Sequence, residues 1–141
     1  MAEPRRLVDT SVLARGHQPA VAERLEALAL AGKLWTCRMI DLEYVYSRRA
    51  RAVSETIRER RALAEVPITT ATLDRALDLM EALADAGKHR QVGLVDCVIA
   101  ASAVQAGISV LHYDRDFERI AEVIGLEAEW VAPAGSLDGD G

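Results

Sequence analysis

A chain of 141 residues, half of them apolar and 28% charged, has room for one globular domain and little else. Its net charge of −5 does not mark a nucleic-acid binder, although local charge distribution matters more than the total. No apolar run approaches the roughly 18–20 residues that a membrane span needs, and Cys37 and Cys97 lack the spacing of a zinc site or a disulfide framework. Met1 to Arg6 lead into an apolar run that Asp9 breaks, so no signal peptide is expected and the cytoplasm is the expected compartment.

In chain order, Arg5 to Val8 reads as a short strand ending at Asp9, with Thr10 and Ser11 as helix-start residues. Pro19 opens a helix through Ala31 with Val21, Leu25, Leu28 and Ala29 on one face, and Gly32 stops it. Leu34 to Cys37 is a second strand. Helices are expected from Met39 to Arg49 and from Val53 to Glu65, followed by a brief extended piece at Val66-Pro67-Ile68. Thr69 or Thr70 can cap the helix that carries Leu73, Ala76, Leu77, Met80 and Leu83. Leu94 to Ala106 is apolar on nearly every side, the pattern of a buried helix, and Gly107 ends it. A strand at Ile108–His112, a helix from Asp116 to Ile124 and a strand at Glu129–Val131 follow. Strands alternating with helices indicate an α/β fold with a parallel sheet, whose sites lie beyond the carboxyl ends of the strands. The expected domain covers residues 1–133, with a loose tail over 134–141.

Carboxylates occupy places in this pattern where they are costly. Asp9 closes the first strand, Glu43 lies between Leu42 and Tyr44-Val45, and Asp96 sits in the first turn of the apolar helix. Asp114 follows the strand at His112, with Asp116 two residues on. A buried carboxylate costs several kcal/mol unless it is paired, neutralised or bound to metal. Each acid alone could serve as a helix cap or a dipole partner. Together they form an oxygen-only set suited to a hard cation, Mg²⁺ with Mn²⁺ as the alternative.

These pieces resemble the PIN-domain ribonucleases, and within them the VapC-type toxins of bacterial toxin–antitoxin pairs. The resemblance rests on Leu7-Val8-Asp9-Thr10-Ser11, on Glu43 with Tyr46-Ser47-Arg48, on Val95-Asp96-Cys97-Val98-Ile99 and on His112-Tyr113-Asp114-Arg115-Asp116-Phe117. Their order and spacing carry it, with 34 residues from Asp9 to Glu43, 53 to Asp96 and 18 to Asp114. It implies a PIN-like α/β/α sandwich around a parallel sheet of about five strands. Asp9, Glu43, Asp96 and Asp114 match the family's catalytic metal-binding acids, Asp116 matches an additional acid, and Thr10 matches a hydroxyl that orients a carboxylate or water. The implied activity is metal-dependent endoribonuclease cleavage with water as nucleophile, leaving a 3′-hydroxyl and a 5′-phosphate. The implied partners are RNA, a small antitoxin and a second copy of the chain, with no membrane.

Such an acid pocket repels RNA until a cation enters, so positive charge must come from elsewhere. Arg48, Arg49, Arg51, Arg58, Arg60 and Arg61 crowd one stretch, and Lys88, His89 and Arg90 precede the buried helix; of these, Arg48, Arg49, Arg51, Lys88 and Arg90 are the candidate RNA contacts. His17, His89 and His112 are scattered and read as surface or packing residues. A response-regulator receiver would require paired acids after its first strand, and a haloacid-dehalogenase-like phosphatase an Asp-x-Asp there; neither is present. A non-catalytic PIN-like module that binds RNA or antitoxin is the remaining alternative.

Overall fold

The structure, a computed structural model, describes residues 3–139. Five short strands form one parallel sheet: β1 (Arg6–Val8), β2 (Leu34–Thr36), β3 (Ala64–Glu65), β4 (Ser109–His112) and β5 (Ala128–Trp130), in the order β3-β2-β1-β4-β5. Parallel neighbours cannot be joined by tight turns, so helices fill every crossover. These are α1 (Thr10–Leu13), α2 (Pro19–Leu30), α3 (Arg38–Tyr46), α4 (Val53–Arg61), α5 (Thr70–Asp85), α6 (Leu94–Ala106) and α7 (Arg115–Ala121), with one 3₁₀ turn at Ala50–Ala52. The α/β class and the five-stranded parallel sheet agree with the sequence reading.

The central strands are buried on both faces, and their alternating side chains divide the core in two. Leu7 and Val110 join a large cluster with Ile40, Leu83, Ile99 and Phe117, while Val8 and Leu111 meet Val12, Val21 and Leu28 on the opposite face. The all-round apolarity of α6 has the expected consequence: Cys97 and the run Ile99 to Ala103 are buried. Gly107 ends α6 at φ 66°, a left-handed conformation that glycine adopts without a Cβ penalty. Cys37 and Cys97 are both free and buried.

Four local expectations need correction. The helix expected to reach Glu65 ends at Arg61, and Ala64–Glu65 instead pairs with Trp35 and Thr36 as the edge strand. Val66 N–H extends that ladder to the Thr36 carbonyl at 2.8 Å, and Pro67, without an N–H, cannot continue it. The helix expected to reach Arg49 stops at Tyr46, where the Ser47 hydroxyl donates to the Tyr44 carbonyl at 2.6 Å. On α5 the buried seam is Thr72, Leu79 and Leu83, while Leu73 and Leu77 are exposed. The Thr72 hydroxyl sets that rotation: it accepts from Thr69 N–H at 3.0 Å and donates to Gln105 Oε1 of α6 at 2.6 Å. Ala29 of α2, expected on the apolar face, is likewise exposed.

The link between α3 and α4 depends on a buried ion pair. Asp41 Oδ1 accepts from Arg60 Nε at 2.8 Å and from the Thr36 hydroxyl at 2.7 Å, and its Oδ2 accepts from Arg38 Nη1 at 2.7 Å. Arg60 also donates to Thr36 Oγ1 at 2.9 Å, so the pair ties α3 and α4 to β2. Arg60 is therefore not part of the exposed arginine run in which the sequence places it.

Removing one partner of a buried pair strands the other charge. Arg60→Ala should lower the unfolding free energy by about 3–5 kcal/mol in urea titrations. Arg58→Ala, on the exposed face of the same helix, should change it by no more than about 0.5 kcal/mol. Arg60→Met combined with Asp41→Leu should recover much of the loss, because no unpaired charge then stays buried; a double variant as unstable as Arg60→Ala contradicts the pairing argument.

Candidate functional site

In an open parallel sheet, a cleft forms beyond the carboxyl ends of two neighbouring strands whose chains depart in opposite directions. Here that point lies between β1 and β4: the chain leaves β1 toward β2 and β3, and leaves β4 toward β5. Val8 pairs with Leu111, and Asp9 N–H donates to the Leu111 carbonyl at 3.0 Å, so the residues following both strands are neighbours.

All five acids singled out in the sequence converge there. Asp9, Glu43 and Asp96 each present an oxygen within 4.8 Å of the others, and so do Asp96, Asp114 and Asp116. Asp96, in the first turn of α6, is common to both groups. Asp9 is 2% exposed and caps α1: its Oδ2 accepts from Ser11 N–H at 3.0 Å and from the Ser11 hydroxyl at 2.6 Å. Its Oδ1 is buried with no hydrogen-bond partner. Glu43 Oε1 accepts from the Thr10 hydroxyl at 2.8 Å, so Thr10 orients the second acid rather than the first. Asp114 caps α7 through Oδ1. Asp116 Oδ2 accepts from Gly93 N–H at 3.1 Å, and its Oδ1 from Arg119 Nη1 at 3.0 Å.

The donor set is chemically fit for a divalent cation. It contains only carboxylate oxygens, as hard cations prefer, and the bare buried Oδ1 of Asp9 is an atom that a cation would satisfy. Capping and ligation do not compete here, because a carboxylate has two oxygens and the cap uses one.

The electrostatics report the same crowding. Burial holds the Asp9 carboxyl above its ordinary range, and the nearby Glu43 charge adds to this. Asp96 is pushed up to about 9, first by burial, then by its hydrogen bond with Asp116 and the charges of Asp9, Asp114 and Asp116. Without metal it keeps its proton at neutral pH. His112 moves the other way, down to about 4, because it is buried. Its Nδ1 accepts from Asp114 N–H at 3.2 Å, and its ring packs between Phe117 and Trp130, which makes it a packing residue. His17 and His89 are exposed.

Ser11 matters more than its sequence reading as a helix-start residue suggests. Besides binding Asp9, its oxygen accepts Tyr113 N–H at 2.8 Å, cross-linking the ends of β1 and β4 through one hydroxyl. Among the candidate RNA contacts, Arg48, Arg49, Arg51 and Arg90 are exposed. Arg48 lies over the Tyr44 ring at 5.3 Å, and Lys88 is paired with Glu122 at 2.6 Å. The stretch expected to be a loose tail carries Leu137, which packs on the Val8–Leu111 cluster and donates its N–H to Tyr113 Oη at 2.9 Å.

The raised Asp96 pKa sets a sign for stability. Between pH 4 and about 9 the native state binds a proton that the unfolded chain has released, so the unfolding free energy falls as pH rises through that window. In EDTA the wild-type melting temperature should therefore be higher near pH 6 than near pH 8. Asp96→Asn, which mimics the neutral acid, should flatten this dependence and melt a few degrees higher near pH 8 if the relief is about 1 kcal/mol. Calorimetry showing equal pH slopes in both proteins would contradict the crowding.

Residues 6–123 match the PIN domain family. The chain is 43% identical over 134 residues to ribonuclease VapC21 of Mycobacterium tuberculosis, covering 94% of this chain and 97% of the relative. It is 40% identical over 135 residues to ribonuclease VapC51 of the same organism, covering 94% and 96%. Its backbone resembles DNA-bound VapBC from Salmonella typhimurium with a TM-score of 0.73 at 19% identity, covering 92% of this chain and 100% of that one, a likeness of fold. With most of its length inside the family's boundaries and close relatives matched nearly end to end, this chain belongs to the PIN-domain family, among the VapC ribonucleases.

Proposed function

We propose that this chain is a metal-dependent endoribonuclease that hydrolyses RNA phosphodiester bonds as the toxin of a toxin–antitoxin pair. The observation that carries the reading is the convergence of Asp9, Glu43, Asp96, Asp114 and Asp116 at the β1–β4 switch point, with Asp9 Oδ1 buried and unpartnered. The names of its relatives, ribonuclease VapC21 and ribonuclease VapC51, support the same activity.

Asp9, Glu43, Asp96 and Asp114 are the proposed ligands, with Asp116 in reach of the second group; Mg²⁺ is the proposed ion and Mn²⁺ a substitute. When bound, such an ion activates water as a nucleophile and offsets the charge that develops on the phosphodiester. The chain's own residues prepare the site. Ser11 and Thr10 hold the Asp9 and Glu43 carboxylates in fixed orientations. Gly93 N–H and Arg119 hold Asp116. The Asp96 carboxyl, protonated in the crowded site, must release its proton for all five acids to be charged together. With water as the nucleophile, as the resemblance to the family implies, the products carry a 3′-hydroxyl and a 5′-phosphate, an outcome that needs no catalytic histidine.

Restraint belongs to the same proposal. Several fold neighbours are described as VapBC or toxin–antitoxin complexes, and a pocket of five acids suits a basic side chain from an antitoxin. A two-fold homodimer is also proposed, testable by sedimentation at micromolar concentration.

Purified protein should cleave total RNA with Mg²⁺ or Mn²⁺ and not with EDTA, leaving 5′-phosphate ends that ligate directly to an adaptor. Asp9→Asn keeps the α1 cap, since Asn caps about as well as Asp, yet should lose nearly all cleavage and nearly all of the thermal stabilisation by Mn²⁺. Induction of the wild-type chain should slow growth, and co-expression of the adjacent antitoxin should restore it. RNA left intact by soluble, metal-supplemented protein overturns the proposal.

A further inference from the structure

Resting on the ribonuclease reading, we propose that a groove at the carboxyl ends of β4 and β5 is the subsite for the nucleotide beside the scissile phosphate, its phosphate gripped by Arg15 and Arg115 and its base against Trp130. Beside the acids lies an open cavity of about 330 Å³, walled by Arg15, Tyr113, Asp114, Arg115, Arg119 and Trp130. That volume falls at the small end of ligand clefts, roughly 300–1,000 Å³. Asp114 belongs both to this wall and to the second acid group, so whatever fills the cavity lies directly beside the proposed metal ligands.

The wall has the composition of an anion site. Three arginines line it, against the carboxylates of Asp114 and Asp138 among the described residues. Two of the three are held by the residues that build the acid site. Arg15 Nη1 donates to the Ser11 carbonyl at 2.8 Å, and its guanidinium lies 4.3 Å over the Tyr113 ring. Arg119 Nη1 is bound to Asp116 at 3.0 Å. Arg115, next to Asp114, is exposed and makes no ion pair among the described residues. Fixed planar forks suit phosphate because little freedom is lost when the remaining N–H groups bind. Trp130 is half-buried, packed against His112 at 4.8 Å and braced edge-on by Tyr113 at 5.5 Å, and in the proposed subsite a base of any identity stacks on the part of its ring that lines the groove.

The groove does not stop at Arg115. A second cavity of about 220 Å³ shares Arg115 and Arg119 with the first and is also lined by Lys88, Gln91, Glu118 and Glu122, with Lys88 paired to Glu122. The excess of positive charge lies in the first cavity, beside Asp114, and the second continues the groove over the start of α7 among charges of both signs. This groove lies on different elements from the exposed arginines between α3 and α4, and two of its charges, Arg15 and Arg119, are held by Ser11 and Asp116 of the acid site.

The test is binding of a fluorescein-labelled single-stranded RNA oligonucleotide of mixed sequence, followed by anisotropy in EDTA. The parent is full-length Asp96→Asn, which cannot cleave and carries one fewer negative charge. Arg15→Gln and Arg115→Gln should each weaken binding about tenfold and lower the slope of log affinity against log salt by roughly 0.7, the loss of one single-strand phosphate contact. Trp130→Leu should weaken binding about tenfold with the slope unchanged. Arg75→Gln, on α5, should stay within about twofold of the parent. Because Arg15 also braces α1, the exposed Arg115 is the deciding position. Parent-like affinity and slope in Arg115→Gln overturn the subsite, even if wild-type protein cleaves RNA. Loss of antitoxin binding with RNA binding intact also overturns it and makes the groove a protein surface. If these arginines govern RNA affinity while metal-supplemented wild type leaves RNA whole, the subsite stands and the hydrolytic reading falls.

Discussion

The site depends on how Asp9 divides its two oxygens. One closes the backbone of α1 and accepts the Ser11 hydroxyl, and the other is buried with nothing to bind. A buried carboxylate oxygen without a partner is costly, and the chain accepts that cost where β1 and β4 separate. Asp114 repeats the pattern after β4, its Oδ1 spent on the cap of α7. The helix-cap geometry therefore fixes each carboxylate in place and leaves an oxygen for a ligand. Because Ser11 bridges Asp9 to the Tyr113 backbone, the spacing of the two caps follows the pairing of the two central strands.

Asp41 and Asp96 are accommodated in two contrasting ways. Asp41 is fully partnered, by Arg60, Arg38 and Thr36, and serves as a tie between α3, α4 and β2. The tie matters to the site because Glu43 lies two residues further along the same helix. Asp96, by contrast, is surrounded by carboxylates and stays neutral by keeping its proton. A buried charge paired with cations is settled by the fold, whereas one among like charges is settled only by a proton or a cation from solution. Structural and functional acids are distinguished here by their neighbours rather than by their burial.

The arginines divide along similar lines. Those from Arg48 to Arg61 lie on the α3–α4 connection and on α4 and are exposed, apart from Arg60. Arg15 and Arg119 are fastened to Ser11 and Asp116, so their positions follow the acids. An overall charge of −5 conceals this arrangement, because a sum over the chain says nothing about where three guanidiniums meet an acidic cleft.

Much was legible along the chain, since helix periodicity, caps and the all-apolar α6 are local patterns. Asp9, Glu43, Asp96, Asp114 and Asp116 could be picked out because carboxylates beside apolar runs contradict their surroundings. Other features had no local signature. Ala64–Glu65 is a strand only because β2 offers a free edge, Leu73 and Leu77 are exposed because a bond between Thr72 and Gln105 turns α5, and Asp41 looks like any helix acid until Arg60 reaches it across 19 residues. Sequence by itself determined the helices, the central strands and the acids that stand out beside them, because propensity and patterning act over a few residues. Tertiary structure alone decided which charges were paired and which left bare, because that depends on contacts between residues far apart in the chain.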